Sequence, residues 1–143
     1  MAQTFAKSSI STEAAHRMIG GAEAKAAEIG TPMVIAVVGD GGRPEGVRMD
    51  GAALLSAQVA QDKAYTAVGF GMPTHGWHEF IKDDPPLADG APEGIDRLVI
   101  FGGGYPIKLD GQLVGAIGVS GGHYEQDQQV AEAGLAAIGA PVD

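Results

Sequence analysis

His75 and His78 stand in the run Thr74-His75-Gly76-Trp77-His78-Glu79, a spacing that can do chemistry. Positions three apart share one side of a helical turn, so two imidazoles would face the same way. With Glu79 beside them, they can bind a divalent metal or act as general acid and base on a small molecule. Two polar loop residues flanking a packed Trp77 would give the same pattern, so both readings stay open. The sequence holds four histidines and no cysteine, which limits any iron ligand to His, Tyr, Met or a carboxylate. Without cysteine there is no disulfide and no thiolate nucleophile, which fits a reducing cytoplasm.

Gly118-Val119-Ser120-Gly121-Gly122 matches G-x-S-x-G, the pattern that seats a serine nucleophile on a strand-to-helix turn. The partners are missing. After Ser120 the only histidine is His123, in the same turn, and a chain of 143 residues cannot hold the large parallel sheet of that fold. The glycines read instead as a tight turn in which Ser120, Gly121 and Gly122 expose backbone N–H groups at the start of a helix. Such a turn is either a helix cap or a nest for a carboxylate or phosphate, which His123 could join.

Nine Lys and Arg stand against 18 Asp and Glu, a formal net charge of −9. That balance repels nucleic acids and anionic membrane surfaces. Arg48 and Lys63 are therefore scarce cations, suited to a carboxylate ligand unless Arg48 simply pairs with Asp50. The N-terminal stretch lacks the apolar core of a signal peptide, and no apolar run approaches the roughly 20 residues of a membrane span. The expectation is a cytoplasmic protein, one domain over residues 1–143, with no nucleic-acid or membrane partner.

The elements that must position these residues follow from periodicity and punctuation. Ser11 caps a helix in which Ala15, Met18, Ile19, Ala22, Ala26 and Ile29 recur at helical spacing. His16 lies on the edge of that apolar stripe. Residues 33–39 form a buried strand and residues 46–49 a second. Asp50 caps a helix that carries Leu54, Leu55, Val59 and Ala60 inward. Residues 70–96 read as an irregular loop, with Asp83-Asp84-Pro85-Pro86 opposing regular structure. Leu98–Phe101 reads as a third strand, and Asp110-Gly111 joins two more in a hairpin. The last helix buries Val130, Ala131, Leu135 and Ile138, with Asp127 in its first turn. The order α-β-β-α-β-β-β-α predicts an α+β domain with a five-stranded, largely antiparallel sheet packed with helices.

Four segments carry a further signal: RMDGAALLSAQVAQDKAYTA (48–67), FGMPT (70–74), FGGGYPIKLDGQLVGAIGVSGG (101–122) and EQDQQVAEAG (125–134). In this order and over nearly the whole chain they resemble the GlcG/HbpS-like family, which includes the C-terminal domain of PduO-type proteins. The resemblance implies an antiparallel sheet between helices, assembly into homo-oligomers, and a haem or corrinoid ligand. It implies His16 as a haem ligand in the first helix. Thr66, Thr74 and Tyr105 (with Tyr65) become candidate hydrogen-bonding residues, because they lie in the family-like segments.

Two functions follow from these residues. One is a haem-binding oligomer, possessing haem-degrading or redox-sensing activity in some relatives. In it Arg48, Lys63 and the Ser120–His123 turn hold the propionates, and His16, His75 or His78 holds iron. The other is a small catabolic enzyme for a carboxylated or hydroxylated substrate, in which His75, His78 and Glu79 act as acid and base or bind a divalent metal.

Overall fold

Helix α1 (Thr12–Ile29) starts where the Ser11 hydroxyl accepts from the Ala14 N–H at 3.1 Å, and it ends at Gly30. Its apolar stripe buries Ala14, Ala15, Met18, Ala22 and Ala26, as the periodicity predicts. A computed structural model describes residues 2–143; Met1 of the expected domain lies outside the described residues.

Strand β1 (Val34–Gly39) is buried along its whole length, because helices cover both of its faces. It pairs antiparallel with β2 (Pro44–Arg48) on one side and with β4 (Gln112–Ser120) on the other. Strand β3 (Gly104–Leu109) turns back into β4 through Asp110-Gly111, both at positive φ, the geometry of a two-residue hairpin turn. The sheet order is β2-β1-β4-β3. Ile35, Val37, Tyr105, Ile107, Ile117 and Val119 pack toward α1 and α5 (Tyr124–Ala137). The alternate residues Val34, Ala36, Val38 and Ala116 pack under α2 (Leu55–Phe70), which lies on the opposite face. Ile138 ends α5 partly buried against the first of these clusters.

Three expectations need correction. The sheet has four strands among the described residues, not five, because Leu98–Phe101 pairs with none of them. In that segment the Val99 N–H donates to Thr66 Oγ1, while Leu98 and Ile100 pack on Trp77, Ile81 and Ala91. The segment 70–96 is not an irregular loop but carries two helices, α3 (Thr74–Ile81) and α4 (Pro85–Gly94). The paired prolines open α4 rather than forbid it: they occupy the first helical positions, which need no N–H, and Asp84 caps Leu87. Finally, Asp50 does not cap α2. That helix starts at Leu55 without a side-chain cap, and Leu54 and Leu55 point to solvent.

The inward face of α2 is instead Ala60, Ala64 and Ala67, small enough for the helix backbone to lie against the sheet. Gly118 of β4 completes that contact, since a Cβ there would strike the backbone of α2 at Ala60 and Ala64. Gly118→Ala should therefore push α2 away and destabilise the fold by about 1–3 kcal/mol, as overpacking does. The urea unfolding midpoint checks this; an unchanged midpoint contradicts the packing described.

Candidate functional site

The position of α3 is set by one buried hydrogen bond. Thr74 is fully buried at the helix start, and its Oγ1 accepts from the Gly104 N–H at 2.9 Å, tying α3 to the first residue of β3. From that anchor, His75 and His78 face outward together, as their spacing predicts. Both line a cleft of about 350 Å³ with Ile100, Phe101, Gly102 and Tyr124. The His75 ring meets the Tyr105 ring edge-on, with centroids 5.6 Å apart. Phe101 and Tyr124 are 51% and 45% exposed, so aromatic surface remains open in the cleft. Glu79 does not join the two histidines. It pairs with Lys82 at 2.7 Å, and that ammonium holds its carboxyl below the usual range. Among the described residues no group of three or more His, Asp or Glu side chains is placed to hold a metal ion.

Beneath Phe101 lies an ion pair. Lys63 Nζ donates to Asp127 Oδ2 and to the Val119 carbonyl, both at 2.9 Å, and stands 5.0 Å from the Phe101 ring centre. The two side chains are 0% and 3% exposed. Burial pushes the Lys63 ammonium down and the Asp127 carboxyl up, and each partner's charge opposes the other's shift. Lys63 is thus a structural cation enclosed in the protein, not the open ligand-binding charge that its scarcity suggested. Gly103 roofs the pair at a φ of 128°, where a Cβ would meet Lys63 Nζ at 2.7 Å.

The glycine turn resolves as a helix cap. Gly122 N–H donates to Asp127 Oδ1 at 3.0 Å and His123 N–H donates to Gln126 Oε1 at 3.1 Å. His123 Nδ1 accepts from the Glu125 N–H, completing a capping box for α5. Ser120 is buried at the end of β4, beside Gly121 at a φ of 141°. The N–H groups of Gly122 and His123 are consumed by the protein itself, so they supply no anion nest.

Other candidates are spread across the fold. Thr66 Oγ1 donates to the Arg97 carbonyl and accepts from Val99 N–H, fastening the 97–99 segment to α2. Tyr105 is buried, its hydroxyl donates to Glu132 at 2.6 Å, and burial holds its proton on beyond the ordinary range. Arg48 pairs with Glu23 at 2.9 Å and with Asp50 at 3.5 Å. His16 is exposed on α1 beside Gly46 of β2. As β2 and β3 are opposite edges of the sheet, His16 and Arg48 do not meet the α3 histidines. Sequence reasoning missed Phe101, Gly102 and Tyr124 as cleft residues. Their only signal was adjacency, since Phe101 opens the Gly102-Gly103-Gly104 run and Tyr124 follows His123.

The chain belongs to the family described as haem degrading protein HbpS-like, whose profile matches residues 10–136. It is 41% identical over 127 residues to the "uncharacterized 15.0 kDa protein in dhaT-dhaS intergenic region" of Citrobacter freundii, covering 88% of this chain and 89% of that one. The crystal structure of protein ORFY from Klebsiella pneumoniae superposes with a TM-score of 0.90 at 34% identity, over 99% of this chain and 98% of that one. The crystal structure of a PduOC–haem complex superposes with a TM-score of 0.82 at 32% identity, over 94% and 98% of the two chains.

The anchor of the cleft is directly testable. Thr74→Val leaves the buried Gly104 N–H without a partner and should cost about 1–3 kcal/mol in urea unfolding, while Thr74→Ser retains most of the stability. Equal stability of the valine and serine variants would contradict the assigned hydrogen bond.

Proposed function

We propose that this chain binds haem or a related tetrapyrrole, with a histidine as the iron ligand. The observation that supports this best is the cleft at the β3 edge, where two imidazoles stand over exposed aromatic surface. Imidazole is a haem ligand, and aromatic faces suit a flat macrocycle. The likeness over nearly the full chain to a PduO domain described as a haem complex adds to this reading. His16 is the competing ligand, favoured by the family resemblance and by its exposure on α1.

No lysine or arginine lines the cleft, so the propionates of a bound haem would lie toward water or toward another copy of the chain. We therefore include a homo-oligomer in the proposal, with a second copy covering the open side of the macrocycle. Bound haem supplies a redox-active iron, and haem degradation or redox sensing would both begin from this binding step. The small catabolic enzyme has less support, since Glu79 turns to Lys82 and the N–H groups of the glycine turn are engaged.

Haemin titration followed across the Soret and visible region tests the proposal. A saturable Soret shift at fixed stoichiometry is expected, lost in His75→Ala or His78→Ala if the cleft holds the iron and in His16→Ala if α1 does. A non-saturating drift, unchanged in all three variants, overturns haem binding.

A further inference from the structure

A cleft of about 320 Å³ is lined by the C-terminal half of α2, by Trp77 of α3 and by residues 95, 96 and 98. Tyr65, Phe70 and Trp77 give it aromatic walls, and Ile95 and Leu98 give it aliphatic ones. It shares no lining residue with the cleft of His75 and His78. The rings of Phe70 and Trp77 are tilted 49° to each other with centroids 5.1 Å apart, so they do not stack flat and seal one another. Phe70 is 60% exposed and Tyr65 39%, which leaves ring surface open.

The charge of this cleft is negative. Asp96 is the one charged residue in its lining, is exposed at the rim, and forms no ion pair among the described residues. The Thr66 hydroxyl is already engaged with the Arg97 carbonyl and the Val99 N–H. The protein itself seats a cation on one of these rings: the Arg97 guanidinium carbon lies 4.0 Å from the Tyr65 ring centre. Asp62 answers that charge, accepting from Arg97 Nε at 2.8 Å, so Asp96 is left unneutralised. Phe70 and Trp77 carry no such cation among the described residues.

We infer that this cleft is a second ligand site, taking a small methylated ammonium cation. Aromatic faces attract a cation through their ring quadrupoles, tryptophan most strongly, and the Asp96 carboxylate adds Coulomb attraction. The methyl groups pack against the rings, Ile95 and Leu98. A primary ammonium would bring N–H donors that the apolar walls leave unpaired. A metal ion needs several oxygen ligands, where the lining offers one carboxylate. An anion would be repelled by Asp96. The net charge of −9 draws cations to the protein in general, and the aromatic walls select among them. The cleft volume is at the small end of ligand pockets, which run from about 300 Å³ upward. The site is independent of haem binding.

Trp77 is the only tryptophan in the chain, and its buried indole N–H has no hydrogen-bond partner among the described residues. Its single resonance in a proton–nitrogen correlation spectrum therefore reports on the cleft. Choline chloride should shift that resonance saturably and bind roughly tenfold or more tighter than 3,3-dimethylbutanol, in which carbon replaces the charged nitrogen. Ammonium chloride at matched ionic strength should leave it unmoved. Asp96→Asn should weaken choline roughly threefold or more without changing the alcohol. Phe70→Leu keeps apolar bulk but removes a ring face, and should weaken choline more than the alcohol. An unmoved resonance, equal binding of choline and the alcohol, or choline binding unchanged in both variants overturns the inference. So does a resonance that follows protein concentration rather than choline, which would assign the cleft to contact between copies of the chain.

Discussion

Lys63 carries an ammonium group into the space where α2, β4 and α5 meet, and the surrounding structure is arranged to keep it there. Removing such a charge from water is costly, and only a close partner with further hydrogen bonds offsets the loss. Asp127 is that partner, and the Val119 carbonyl accepts a second hydrogen bond from the ammonium. The same carboxylate also accepts from Gly122, so one side chain joins the middle of α2 to the turn that opens α5. Gly103 then has to be a glycine, because the Val119 carbonyl and the ammonium it holds fill the volume a Cβ would need. Phe101 lies over the pair and forms part of the cleft wall.

The cleft at the β3 edge inherits its geometry from this constraint. One side is Tyr124, the first residue of a helix whose start is fixed by Asp127 and by the His123 capping box. The other side is α3, fixed through Thr74 to Gly104, one residue beyond the glycine that covers Lys63. Two histidines on a short helix could point in many directions. Here the face they share is turned to the opening because both walls are fastened to the same corner of the sheet. Thr66 performs a parallel task for residues 97–99, which it fastens to α2.

Much of this was legible in the sequence where one local signal decided the outcome. Ser11, the apolar stripe of α1, the β-branched run of β1 and the Asp110-Gly111 hairpin each act within a few residues, and each appears as read. The shared face of His75 and His78 is also a local property, fixed once that segment is helical. The errors lie where distant contacts decide. Leu98–Phe101 has strand-forming residues, but Thr66 and the Trp77 cluster claim its N–H and side chains. Pro85-Pro86 signals a break and a helix start equally well, and Asp84 decides between them. Lys63 looked like a free cation because its partner is 64 residues away along the chain. No spacing in the sequence marks a pair of that separation.

The most direct measurement of the central claim is a double-mutant cycle on Lys63→Met and Asp127→Leu, read by urea unfolding. Each single variant leaves a buried charge or polar group without its partner and should lose about 3–5 kcal/mol. The double variant removes both charges together and should recover most of that loss. Small single losses, or a double variant that loses the sum of the two, would contradict the role given to this pair.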